Sequence, residues 1–131
     1  MKAYLKNFRQ SPRKVRLVAD LIRGKKVDRA QAHLSFTDNK SAPALKKLLE
    51  SAIANARVQG EKPENLIVKE ITVDQGLTMK RFIPMARGRA NPIRKRSSRI
   101  SLILGNLPEK KVKKEVSVKA KKETAKKAVT K

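Results

Sequence analysis

The 131-residue chain contains no cysteine and no tryptophan, and it has one histidine, one tyrosine and three phenylalanines. Without cysteine, neither a disulfide frame nor a thiolate zinc site is possible. Tyr4, Phe8, Phe36 and Phe82 are the only aromatics, which excludes the stacking platform of a module that reads single-stranded bases. No apolar run approaches the roughly 20 residues of a membrane span, and "MKAYLKNFRQ" has no signal-peptide core. The expectation is a cytoplasmic protein with no membrane partner. A basic amphipathic membrane binder is disfavoured, because the charges are not confined to the polar face of one helix.

Catalytic chemistry is equally thin. His33 is the one side chain that ordinarily titrates near neutrality, yet no nucleophile or acid stands near it in sequence, and it reads as a surface or packing histidine. The carboxylates are scattered, and neither a Gly-rich phosphate loop nor metal-ligand spacing occurs. No enzyme, no metal and no cofactor is expected.

Acids are scarce. Eleven stand against 34 Lys and Arg, for a formal net charge of +23. Such self-repulsion opposes compaction unless a polyanion neutralises it, and nucleic acid is the obvious one. The excess is concentrated in two stretches, residues 80–99 with eight bases and no acid, and residues 109–131 with ten Lys and three Glu. That pattern predicts one domain, residues 1–108, that includes an extended basic arm at 80–99, followed by a Lys-rich tail at 109–131. The tail, with no aromatic residue and little to bury, reads as disordered in isolation.

Between the charges lie periodic apolar residues. A short first strand is expected in "AYLKNFRQ". Ser11 as N-cap and Pro12 at the first helical position open a helix with Val15, Val18, Ala19 and Ile22 inward, stopped by Gly24. Asp28 suits the N-cap of a second helix, with Ala30, Leu34 and Phe36 inward. A third follows Ser41, its stripe Leu45, Leu48, Leu49, Ala52, Ile53 and Ala56 falling at i, i+3, i+4, i+7, i+8 and i+11. From Leu66 the period becomes two, with Ile67, Ile71 and Val73 on one face, and it resumes at Ile100, Leu102 and Leu104.

Traced backwards from Ile100, that alternation meets Ser98, Arg96 and Arg94, so the strand continues after its buried face has ended. If Lys80 and Arg81 pair near Arg99, a hairpin projects from the domain for roughly 25 to 30 Å, turning around "ARGRAN". Gly88 supplies freedom at the bend, and Pro84 and Pro92 suit a ribbon with free edges. Six of its eight bases are Arg, whose planar fork makes fixed phosphate contacts, whereas the all-Lys tail offers point charges. A solubilising tail would have no use for Phe82, Ile83, Met85 and Ile93. Recognition by backbone, charge and shape is the route left, either in a DNA minor groove with a proline wedge or between helices of a folded RNA. An architectural DNA-binding protein and an RNA-modifying enzyme using His33 are the competing possibilities.

The stretches "SPRKVRLVADLIRGKKV", "LLESAIANA", "VKEITVDQG" and "KRFIPMARGRANPIRKRSSRISLIL", in this order and spacing, resemble the universal family of large-subunit ribosomal protein twenty-two in its bacterial form, over about residues 3–104. The resemblance implies an α+β fold of three helices on a small three-stranded antiparallel sheet with a long protruding β-hairpin. It implies a structural constituent of the large (50S) subunit that binds 23S rRNA in all its domains, supports assembly and is not a homo-oligomer. The globular part would sit near the exit of the peptide tunnel and the hairpin would reach inward. Its tip would line the tunnel beside ribosomal protein four, in passing contact with the nascent peptide and near the site of macrolide antibiotics. Carried over by motif, the rRNA-binding residues would be Ser11, Pro12, Arg13, Lys14, Arg16, Lys25, Lys26, Lys80, Arg81, Arg87, Arg89, Arg94, Lys95, Arg96 and Arg99. The tunnel-facing tip would be Met85, Ala86, Arg87, Gly88, Arg89 and Ala90. The chain departs from the family's common pattern at Arg99, where histidine is usual, at Met85, where a base is usual, and at Pro92, often Arg; these bear on tip contacts and leave the docking unchanged.

Overall fold

A computed structural model describes residues 1–107; the expected tail lies outside the described residues. In chain order the elements are β1 (Lys2–Phe8), α1 (Pro12–Ile22), α2 (Val27–Phe36), α3 (Ala42–Val58), β2 (Leu66–Pro84) and β3 (Ala90–Asn106). The sheet is antiparallel in the order β1-β3-β2, so the last strand is central. Helices α1 and α3 pack on the sheet and α2 bridges them, giving the expected α+β architecture.

The helical stripes bury as their spacing requires. Val15, Val18, Ala19 and Ile22 of α1, and all six predicted positions of α3, are inside, where they meet Ile71 and Val73 of β2 and Ile100, Leu102 and Leu104 of β3 in one core. Pro12 stands in the first turn of α1, where its missing N–H costs nothing. Ser11 holds the N-cap position, but its side chain makes no capping bond; its carbonyl accepts from Lys14 instead, at 3.0 Å. Gly24 takes φ +72° just beyond the helix, the left-handed conformation that a β-carbon disfavours.

Four local expectations are corrected. The cap of α2 is Lys26, and Asp28 lies in its first turn; a bridge between Lys26 and Ile67 holds the chain extended up to that point, and Val27 is buried as the helix begins. Phe36 is 90% exposed, because it sits two residues, about 200° of helix rotation, past Leu34. Ile67 does not share the inward face of Ile71 and Val73: a bulge between Val68 and Glu70 shifts the alternation, so Leu66 and Val68 are the buried pair before it. Finally, β1 ends at Phe8, with a register irregularity between Leu5 and Phe8 where Asn7 adopts φ 57°.

The ribbon's register is the fifth correction. Lys80 pairs with Arg94 and Arg81 with Ile93, while Arg99 stands opposite Asp74. The turn falls within "ARGRAN" as expected, at its start: Pro84 pairs with Ala90, and the Met85 amide donates to the Arg89 carbonyl at 2.8 Å across a single 3₁₀ turn, Ala86–Gly88. An antiparallel register is counted back from its turn, so an early turn displaces every pair below it.

Candidate nucleic-acid interface

The ribbon leaves the domain at a second irregularity, between Gln75 and Thr78 of β2. Here the strands cease to be covered by helices and two serines take over from apolar side chains. The Ser98 hydroxyl donates to the Gln10 carbonyl and that of Ser97 to the Leu77 carbonyl, the latter at 2.7 Å; both serines are buried. These bonds satisfy backbone acceptors that the bulge and the end of β1 leave without a ladder partner. Nothing in the alternation pattern announced them, because serine at an inward position reads as the end of a core.

Gly76 is fixed by the same junction. A β-carbon there would lie 2.6 Å from Ser97 Oγ and 3.3 Å from the Ser97 carbonyl carbon and oxygen. Replacing Gly76 with alanine is therefore expected to lower stability by about 1 to 3 kcal/mol through overpacking. Adding Ser97→Ala should recover part of the loss by removing the nearest atom. Chemical denaturation midpoints of the two variants check both statements.

Beyond the junction all of residues 80–92 are exposed and Ile93 is half-buried. The finger is not folded onto its own sheet. From Gln75 to Pro84, ten residues at about 3.3 Å each extend it roughly 30 Å. No carboxylate among the described residues lies within 4 Å of Lys80, Arg81, Arg87, Arg89, Arg94, Lys95 or Arg96. A modest contact, Arg81 Nη1 to the Lys80 carbonyl at 2.9 Å, is the one hydrogen bond these side chains make among the described residues. The stem thus presents cations whose hydrogen-bonding capacity is directed outward. At the tip Arg87 is held at φ 61°, ψ 37° and Gly88 at φ 65°; a left-handed arginine costs on the order of 1 kcal/mol, so the tight turn keeps some strain.

The remaining predicted residues divide by position. Arg13 and Lys14 are exposed in the first turn of α1, Lys14 beside the ribbon's base, and Lys25 and Lys26 are partly buried in the α1–α2 connection. Arg16 is committed differently: its Nε and Nη2 donate to the Val73 carbonyl at 3.1 and 2.8 Å. Arg23 Nη2 likewise reaches the Ile71 carbonyl at 3.1 Å, and its Nη1 pairs with Asp20 at 2.7 Å. With Gly24 and Lys25 bonded to Val68, these guanidiniums cap the outer edge of β2 along the domain, which protects an edge strand from pairing elsewhere. His33 is exposed, with Nε2 3.0 Å from Lys25 Nζ.

Between the β1–α1 loop, Lys40 and the ribbon's base lies an open cleft of about 780 Å³. Its charged wall, formed by Arg9, Lys14, Lys40, Arg81 and the run Arg94, Lys95 and Arg96, is entirely cationic; Phe8, Leu77 and Met79 lie among these residues. The α1 start and the ribbon, both predicted from separate motifs, meet in this one place. Arg9 and Lys40 were missed because neither belongs to a charge run.

Comparison with known proteins gives one consistent relationship. Residues 3–105 match the family model described as ribosomal protein L22p/L17e. The chain is 51% identical over 104 residues to large ribosomal subunit protein uL22 of Herpetosiphon aurantiacus, covering 79% of this chain and 92% of that one. The protein of the same name in Acholeplasma laidlawii is 51% identical over 104 residues, covering 79% and 94%, and that of Desulforamulus reducens 48% over 109 residues, covering 82% and 96%.

Proposed function

The chain belongs to the ribosomal protein L22p/L17e family, and from that premise we propose that its ribbon and cleft bind large-subunit rRNA while the ribbon's tip lines the peptide exit tunnel. The protein is a structural component of the large ribosomal subunit, in the cytoplasm of a bacterial cell, and not an enzyme. Family membership removes the DNA-binding and RNA-modifying alternatives.

The observation that carries the proposal is the exposed cationic stem. A finger of about 30 Å whose residues 80–92 are all exposed is marginal in water and becomes firm when surrounding phosphates neutralise it. The stem guanidiniums, including Arg94 and Arg96, match phosphate in a bidentate fork, and Lys80, Lys95, Arg13 and Lys14 add point charge. Arg16 serves chiefly to hold α1 on β2, with one guanidinium nitrogen left for RNA. Residues 85–90, compact and bearing Arg87, Gly88 and Arg89, form the tunnel-facing end, where ribosomal protein four would be the neighbour.

Replacing residues 85–90 with a two-residue turn is expected to leave the tagged protein co-sedimenting with the large subunit, since the stem cations remain, and to change the cell's response to macrolides. A truncated protein absent from the subunit fraction would show that the tip is needed for docking. The intact protein failing to co-sediment would remove the rRNA assignment itself.

A further inference from the structure

Resting on that rRNA assignment, we propose that the cleft at the ribbon's base seats one unpaired RNA nucleotide extruded from a helix. A continuous duplex offers a protein mainly phosphate and ribose, and would bring nothing flat and weakly hydrated to a surface set among cations. The cleft has such a surface: Phe8, Leu77 and Met79 lie among its cations, and Leu77 is 66% exposed although it stands within a strand. The irregularity between Gln75 and Thr78 is what places Leu77 there.

An extruded nucleotide matches both halves of this lining. Its base covers the apolar side chains, and the phosphates on either side of it reach Lys14 and Lys40 on one wall and Arg81 and Arg94 on the other. A volume of about 780 Å³ lies within the range of sites that enclose a small ligand. A single stacked base needs one apolar patch, so the scarcity of aromatics is no obstacle.

The test uses the full chain and two synthetic RNA hairpins, identical except for one unpaired nucleotide in the middle of one stem, at one fixed salt concentration. The wild type is expected to bind the bulged hairpin about tenfold more tightly, the size of one base–side chain stacking contact. Leu77→Ser, at an exposed position that does not support the core, should abolish that preference, and Phe8→Leu should reduce it while keeping the side chain's packing against the core. Alanine at Arg94, Lys95 and Arg96 should weaken both hairpins, the bulged one at least as much as the other. Equal wild-type affinity for the two hairpins, or a preference that survives both substitutions, overturns the nucleotide site and leaves rRNA binding standing. Failure to bind either hairpin overturns both.

Discussion

Replacing Arg94, Lys95 and Arg96 together with alanine is expected to weaken binding to large-subunit rRNA on the order of a hundredfold and to flatten its salt dependence. All three are exposed and none reaches a carboxylate among the described residues, so the substitutions remove interactions with the partner and none within the fold. At about 1 kcal/mol for each screened, charge-assisted interaction, three of them give roughly two orders of magnitude. Counterion release predicts a salt slope smaller by up to about 0.9 for each phosphate that is no longer neutralised, as for duplexes. Binding titrations at several salt concentrations check this. An unchanged slope with weaker binding would mean that the three cations act by some means other than phosphate neutralisation. The unfolding midpoint should stay level or rise, because exposed substitutions cost little and the self-repulsion of a chain with net charge +23 is eased.

The second large effect is on stability. Leu102 is fully buried in the domain half of the middle strand, opposite Ala3 of β1 and Ile71 of β2. Leu102→Ala should cost about 2 to 5 kcal/mol, the transfer term plus the cavity term for a leucine whose neighbours cannot collapse. A small domain has about 5 to 15 kcal/mol in total, so the variant sits near the edge of folding. Urea denaturation should show a lower midpoint with an unchanged m-value. The link to function is direct, since β3 continues into the ribbon: rRNA binding should fall at temperatures where the variant begins to unfold and be restored on cooling. Loss of binding in a variant that remains fully folded would contradict a purely structural role for Leu102.

Much of this architecture was legible along the chain. The stripes of α1 and α3 were correct position by position, because a helix with one buried face imposes a period that composition cannot mask. The alternation continuing back from Ile100 located the ribbon, and its charge showed that it could not be buried. What failed was local geometry where two segments far apart in sequence meet. The bulge after Val68 reversed the exposure of Ile67, and the tight turn around Arg87 moved the register by several residues. The end of α2 failed for a simpler reason, since Phe36 is apolar yet lies off the stripe.

The candidate site followed the same division. Arg94, Lys95, Arg96, Arg13 and Lys14 stood out as members of motifs or charge runs, whereas Arg9, Lys40 and Leu77 did not. Arg16 looked identical to its basic neighbours, and only the position of the Val73 carbonyl, 57 residues away, shows that its guanidinium is bonded to the protein's own sheet.

Net charge, the absence of thiols and the scarcity of aromatics, helix periodicity and the basic finger were determined by the sequence alone, because each depends on residue identity and short-range spacing. Strand register, the serine bonds at the ribbon's base, the capped edge of β2 and the cleft were decided by the tertiary structure. Each depends on which distant backbone carbonyl or side chain a group meets, and a linear pattern fixes the number of such groups without fixing their partners.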